Sequence, residues 1–445
     1  MGLLYIRIQP LIIKLVFNIG KRFWGPASYI SFMETIKQSG KQQLIILFLI
    51  MTISLGMYHS IVARTILENA ILNTEYTDGV DMILSEKWDE AVDQEGMKTG
   101  IYIEPDYKRY ASMSFAKQYT RVYNDVNGYI QEGKNERQNI HIMGIHTKEF
   151  GTITNVDRRF LEKHYYEYLN ELAKDEEGVL LSKNFKTDLG YNVGDYITYC
   201  NENKTSVKCK IVDFFDYWPG YAPTVTQIAP DGSANTENNY LLVMHYDYSK
   251  SVFGIRPYDV WISLKDDATT QQIYDWISDN NYKVQNYVNR KEDLETTASD
   301  PLLQGTNGVL TLGFVVTLIL CAVGYMIYWI MSIKDRELII GVLRASGFHK
   351  SEVIKMILIE QLFAGVLSVF AGIGIGYVSS KLFVPIIQIS FASATQILPL
   401  SLVIEKLDMI RLYGVITTVM ICCVGVLITI LFKMNITKAL KLGEE

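Results

Sequence analysis

Apolar residues along this 445-residue chain gather into four windows, 44–62, 309–331, 356–378 and 412–432. Each is close to the roughly 20 residues needed to cross the hydrocarbon core of a bilayer. Between them, from 64 to 308, the pattern breaks into short alternating or mixed runs of the kind that form strands and short helices. The chain is therefore expected to divide into a segment 1–43, a first span 44–63, a large insert 64–308, a second span 309–331, a charged loop 332–354, a third span 355–378, a connection 379–411, a fourth span 412–432 and a tail 433–445. Charges precede the first window, which argues against a cleaved secretory signal and for a retained helix.

Within the insert, Val80-Asp81-Met82-Ile83-Leu84 and the alternating run Asn139 to Ile145 predict strands. Gly178 to Phe185 predicts a strand passing into a helix. A double turn from Gly190 to Asp195 leads into a strand at 196–200, which the run 207–215 is expected to pair with. A strand at 259–264 and helices at 158–174 and 270–280 complete the reading. Strands and helices mix without a βαβ rhythm, so the insert is expected to be α+β. Two stretches, 102–126 with its tyrosines and the Pro-, Gly- and Asn-rich 227–239, read as loops. The first leaves open an aromatic ligand surface, since exposed Tyr is favoured at interfaces.

Charge sets the expected orientation. Residues 1–43 carry Arg7, Lys14, Lys21, Arg22, Lys37 and Lys41 against Glu34, and the excess of Lys and Arg expected in cytoplasmic segments puts the N-terminus inside. Four crossings then place 332–354 and the tail in the cytoplasm, and 64–308 and 379–411 outside. The fold class expected is a membrane protein with four transmembrane α-helices and a large α+β extracytoplasmic domain between helices 1 and 2. Residues 65–308 hold 39 acidic and 24 basic residues, and that negative excess argues against nucleic acid as a partner. Segment 1–32 reads as an interfacial amphipathic helix, interrupted by Arg7, Pro10 and Lys14. The stretch 382–402, with Pro385 and Pro399, is expected along or dipping into the outer surface.

The loop between the second and third spans is patterned for docking. Arg336 to Ala345 contains strong helix formers without proline, and Glu337, Ile340, Gly341 and Arg344 fall on one face at helical spacing. Gly347 is expected to end this short helix, and a second helix to begin near Lys350 and Ser351. The run from Gly341 to Ser351 is no phosphate loop, because five residues separate its glycines and Phe348-His349 splits the Gly from the Lys. No HExxH, nucleophile elbow or CxxC occurs, so no catalytic residue, metal ligand or cofactor site is expected in this chain. Cys321, Cys422 and Cys423 fall in spans as packing residues. Cys200 and Cys209 lie on the two arms of the expected hairpin, where either a disulfide or an unpaired buried pair fits. Glu360 falls inside the third span, where a charge pairs with protein or reaches the cytoplasmic surface. Gly372, Gly374 and Gly376 permit close helix packing.

With Glu360, the run Arg336-Glu337-Leu338-Ile339-Ile340-Gly341-Val342-Leu343-Arg344-Ala345-Ser346-Gly347 resembles the R-E-x-x-I-x-x-L-R-A-x-G…E signature of the FtsX/MacB-type ABC transporter permeases. The four spans, the insert after the first and the run Gly178 to Asp195 are similar to that family too. The resemblance covers the chain from about Ala27 to its end. It implies a dimeric, non-catalytic permease whose second subunit is identical or a homologous half, with ATP bound and hydrolysed by cytoplasmic ABC ATPase subunits. It implies a coupling helix that docks on the ATPase through Glu337, Ile340, Gly341, Leu343, Arg344, Ala345, Gly347 and Phe348. The segment from Tyr5 to Pro26 is similar to the linker that precedes the last four spans of ten-span members, so the chain reads as a whole permease or as the C-terminal half of a larger or split one. The expected function is to couple ATP hydrolysis to motion of the external domain, for mechanotransmission or for export of a lipid, lipoprotein or peptide. The alternative is an external sensor or scaffold for antimicrobial peptide or a cell-wall enzyme, signalling without transport.

Overall fold

A computed structural model describes residues 39–132, 135–228, 234–335, 340–343, 346–391 and 397–433, with isolated positions between 8 and 29. The expected interfacial segment 1–32 lies largely outside the described residues, as does the tail from 434. The chain forms two compact units. One comprises Met1–Glu68, Pro301–Phe391 and Leu400–Glu445, the other Asn69–Asp300 and Ala392–Pro399.

The first unit is helical. Its described elements are α1 (Ser39–Asp78, whose last ten residues belong to the second unit), α8 (Pro301–Asp335), α9 (Lys350–Phe391) and α10 (Lys406–Lys433). All four are long and apolar enough to cross a membrane. α1 is the inner helix: 50% of its apolar window is buried, against 11% for α8. α9 approaches it at Gly372 and Gly376, where an added Cβ would lie 2.7 Å from the Ile53 Cβ and 2.9 Å from the Met57 Cβ. Small residues four apart let backbones come together where lipid supplies no hydrophobic drive. Gly374 faces open space, so only two of the three expected glycines pack. The helices outrun their apolar windows. α8 begins at Pro301, and α9 and α10 extend into the expected connection 379–411 from both sides, α9 continuing through Pro385.

The second unit is α+β. Its strands are β1 (Met82–Glu86), β2 (Asp89–Val92), β3 (Lys98–Ile103), β4 (Ala116–Glu132), β5 (Asn135–Ile145), β6 (Gly178–Ser182), β7 (Tyr196–Cys200), β8 (Ser206–Phe215), β9 (Thr224–Ile228), β10 (Ala234–Asn238), β11 (Tyr240–His245), β12 (Asp259–Leu264) and β13 (Val284–Asn289). Its helices are α2 (Thr147–Ile153), α3 (Tyr165–Ala173), α4 (Asn184–Leu189), α5 (Tyr246–Phe253), α6 (Thr270–Asp279) and α7 (Arg290–Ala298). Nine strands share one mixed sheet in the order β13-β1-β12-β4-β5-β11-β6-β8-β7. The long β4 also pairs with β7, Tyr129 with Cys200 and Ile130 with Tyr199, so the six strands from β4 to β7 close on themselves and lose an open edge. Closure requires Gly128, since an added Cβ there would fall 2.0 Å from the Tyr199 hydroxyl.

The sheet is buried on both faces. In β11, Leu242 and Met244 enter one core cluster with Ile140, Leu181 and Ile262, while Leu241 and Val243 enter the other with Phe150, Trp218 and Trp261. Successive side chains of a strand point to opposite faces, so a doubly covered strand reads as one continuous apolar run.

Two expectations fail here. The stretches 102–126 and 227–239 are not plain loops: the first holds the end of β3, a 3-10 turn (Tyr107–Ser112) and much of β4, and the second the hairpin β9–β10. β4 was hidden by a stretch with five tyrosines and few aliphatics, and its Asp125-Val126-Asn127-Gly128 forms bulges, with register shifts on either side of Gly128. The disulfide reading is also overturned. β7 pairs with β8 as expected, but Cys200 lies opposite Ser206 and Cys209 opposite Ile197. The two residues are three register steps apart and point to opposite faces, and both are free and buried.

Candidate functional site

Sequence reasoning placed the functional residues at the corner between α8 and α9, and the structure gives that corner its build. Residues 340–343 are helical. Gly347 follows at φ +101°, the Ser346 N–H donates to the Val342 carbonyl at 2.9 Å, and the Phe348 N–H donates to the Leu343 carbonyl at 3.1 Å. That six-to-one bond around a left-handed residue is a Schellman stop. One residue later the next helix is capped. The Glu352 carboxylate accepts from the His349 backbone N–H at 2.9 Å, and the Glu352 N–H donates to the His349 carbonyl at 3.0 Å. A Glu three positions into a helix that reaches back to the cap residue is half of a capping box.

Phe348 serves both helix ends. It is the apolar residue after the stop of the first helix and before the cap of the second, and it packs on the cluster that contains Ile340, Val353, Met356 and Ile357. A hydrophobic staple of this kind fixes the angle at which the chain enters a helix. Ile333, near the end of α8, belongs to the same cluster. The corner is thus fastened to the spans by apolar contacts and closed by backbone bonds, with a single residue between stop and cap.

This geometry corrects part of the expected docking face. Ile340 is 7% exposed and packs within its own bundle, Gly341 is buried, and Leu343 and Phe348 are half-buried against the same cluster. Ile340 is therefore not available to a partner's pocket in this conformation. Among the described residues of the corner, Val342 is the large apolar side chain that points away, 54% exposed, with Ser346, Gly347 and His349 also exposed. Periodicity could have indicated this inversion, because a short amphipathic helix tethered to spans has their apolar ends as its nearest cover. Glu337, Arg344 and Ala345 lie outside the described residues, and so does the side chain of Glu360 on α9.

The tyrosine-rich segment of the α+β unit turns inward instead of forming a ligand surface. The Arg121 guanidinium lies 3.7 Å from the Tyr107 ring centroid and the Arg109 guanidinium 4.7 Å from that of Tyr282. The Tyr110 and Tyr282 hydroxyls are 2.9 Å apart, and the Trp276 indole N–H donates to the Ser112 hydroxyl at 2.9 Å. Arg109 also pairs with Glu86. Stacked guanidiniums and paired hydroxyls let a polar segment be buried. Among the described residues no group of three His, Cys, Asp or Glu side chains is placed to hold a metal ion.

The end of α1 is built into this unit. The Trp218 N–H donates to the Tyr76 hydroxyl at 2.8 Å, and the Gly220 N–H donates to the Tyr76 carbonyl at 3.1 Å. The Asn73 side chain accepts from the backbone N–H groups of Ile397 at 2.8 Å and Leu398 at 3.4 Å, and Leu398 is buried beside Tyr76 and Trp218 in the same cluster. Sequence reasoning missed this anchor, because nothing local links Asn73 to a residue more than three hundred positions away.

No curated protein matches the chain significantly. Among solved structures, it is similar to the periplasmic region of MacB from Actinobacillus actinomycetemcomitans at 10% identity, covering 50% of this chain and 95% of that one, with a TM-score of 0.29. It is also similar to the extracellular domain of the noncanonic ABC-type transporter YknZ from Gram-positive bacteria, at 11% identity over 46% of this chain and 100% of that one, TM-score 0.27. A domain of a permease protein from Porphyromonas gingivalis gives 9% identity, 50% and 88% coverage and a TM-score of 0.28. The family comparison falls on the spans and the corner, where residues 311–438 match the FtsX-like permease C-terminal domain. The stretch similar to the FtsX-like permease C-terminal domain therefore takes in most of α8, all of α9 and α10, and the capped corner between α8 and α9.

Proposed function

We propose that the chain is the permease subunit of an ABC transporter of the FtsX/MacB type, docking a separate cytoplasmic ATPase at its α8–α9 corner. ATP hydrolysis on that partner moves the α+β unit on the other side of the membrane. Both termini then lie in the cytoplasm of a cell-membrane protein, and a second permease subunit, identical or a homologous half, completes the assembly.

One observation carries the reading: the doubly capped, stapled corner within the matched stretch 311–438. A connection can transmit force only if it does not bend, and here a Schellman stop and a capped start are separated by one residue, Phe348, which packs on the cluster that both helices enter. The continuous α1, whose final turns are bonded into the α+β unit through Tyr76 and Asn73, offers a stiff route outward. The substrate is of a class that such motion can push or release: a lipid, lipoprotein or peptide.

The test uses the full chain in membranes with a photocrosslinker on Val342→Cys or, as a control at the opposite end of α8, on Leu302→Cys. Val342→Cys is expected to capture an ABC ATPase subunit and Leu302→Cys to capture none. Capture from position 302 and not from 342 would reverse the assigned orientation and overturn the docking face.

A further inference from the structure

At the end of the bundle away from the corner, α1, the first turns of α8 and the start of α10 leave a cleft of about 520 Å³. Its lining changes character along its length. Gly56, Phe314, Leu412 and Val415 form an apolar part, and Arg64, Asn307, Asp408 and Arg411 a polar part. The apolar window of α1 ends at 62, that of α8 starts at 309 and that of α10 at 412. Three helices thus pass from hydrocarbon-compatible to headgroup-compatible sequence at one level, and the cleft straddles that level.

The charges in the cleft are unequal. The Arg64 Nε donates to the Asp408 carboxylate at 2.7 Å, and the Arg411 Nη1 stands 3.7 Å from its other oxygen. Two guanidiniums in the lining therefore share one carboxylate. Glu68, 3.1 Å from the Arg64 Nη1, takes that arginine from one turn further along α1 and does not line the cleft. The Asp408 side chain is 18% exposed and that of Arg411 73%. Asp408 is engaged by Arg64, while Arg411 keeps most of its five donors for another acceptor. A guanidinium fork with free donors suits a phosphate oxygen pair, and the apolar slot below it suits a hydrocarbon chain. A soluble phosphate has no use for that slot, and an uncharged lipid has none for Arg411. The volume lies within the roughly 300–1,000 Å³ common for small-molecule sites.

We propose that this cleft binds a single phospholipid with an anionic head, its phosphate on Arg411 and one acyl chain along Phe314, Leu412 and Val415. The site is independent of ATPase docking, so either idea can fail without the other.

The experiment is a native mass-spectrometry titration of the detergent-solubilised full chain. The probes are phosphatidylglycerol, diacylglycerol of the same chains, and glycerol phosphate. The proteins are wild type, Arg411→Gln, Ala63→Trp, which fills the cleft wall, and Lys406→Gln, which removes a charge on the same helix outside the cleft. Wild type is expected to retain one phosphatidylglycerol about tenfold more tightly than diacylglycerol, which lacks the phosphate, the size of one charged hydrogen bond. Arg411→Gln is expected to erase that difference, Ala63→Trp to abolish the single bound lipid, and Lys406→Gln to match wild type. Equal binding of the two lipids by wild type, with Arg411→Gln silent, would mean surrounding lipid only and overturn the proposal. Displacement of phosphatidylglycerol by equimolar glycerol phosphate would reduce the site to a bare anion contact and overturn it equally. Because Arg411 is exposed, its variant remains a test even if Ala63→Trp does not fold.

Discussion

If motion reaches the α+β unit through α1, the bonds at the helix end should be measurable in that unit's stability. Tyr76→Phe isolates one of them. The ring stays in its edge-on contact with Tyr217, centroids 5.9 Å apart, and the backbone bond from Gly220 is untouched. Only the hydroxyl that accepts from the Trp218 N–H at 2.8 Å is lost. Tyr76 is 8% exposed and Trp218 fully buried, so water cannot replace the acceptor. An orphaned buried donor costs about 1–3 kcal/mol, and with roughly 2–4 °C per kcal/mol for a domain of this size the midpoint is about 4–8 °C of melting lost at mid-range. The assay is thermal unfolding of the full chain followed by tryptophan fluorescence, with hydrogen exchange read at the Trp218 amide. Tyr166→Phe, a 52% exposed tyrosine, is the control. A Tyr76→Phe protein that melts with the control and keeps a protected Trp218 amide would refute the claim that the helix end is fastened there.

Other outcomes follow from single residues. Gly347→Ala meets no atom within 4 Å but must hold φ +101°, which costs about 1–2 kcal/mol for a residue with a Cβ; the corner should loosen, seen as faster exchange of the Phe348 amide. Cys200 and Cys209 should remain unpaired under oxidising conditions by peptide mass mapping. Cys209 should also resist alkylation until unfolding, since burial pushes its thiol up to about 12. Burial holds the His141 imidazole below its ordinary value against the opposing pull of Asp125. Its contribution is therefore present above the unfolded value of about 6.5 and lost as pH falls through the lower folded one. His141→Gln should flatten the fall in stability on the acid side of pH 6.5, and an unchanged slope would exclude His141 as its source.

How much of this could be read from the residues depends on where the determining contacts lie. The spans were legible because a bilayer imposes one length and one composition. The passage through β6, α4, β7 and β8 was legible because turns and alternation are local, and α6 carries the capping box of Thr269 and Gln272 that its sequence allows. β4 was not, because a stretch with five tyrosines and few aliphatics shows itself as a strand only once its partners β5 and β12 are known. The register separating Cys200 from Cys209 was equally hidden, since both readings share the same hairpin. At the corner, the signature located the element and the Gly stop, but which face it shows depended on the cluster around Ile333 and Met356, brought together by the fold. Leu398, from the connection before α10, is buried beside Trp218 by contacts no window of sequence contains.

In the proposed function the corner is a stiff joint with Val342 on its outward side, and its docking of an ATPase can be measured directly. The measurement is ATP hydrolysis by the partner ATPase reconstituted with the full chain in nanodiscs, comparing wild type with Val342→Asp, a surface change that leaves the stapled cluster intact. The account predicts that the wild-type chain stimulates hydrolysis and that Val342→Asp abolishes the stimulation without lowering the chain's melting temperature. Stimulation by Val342→Asp equal to wild type would contradict it.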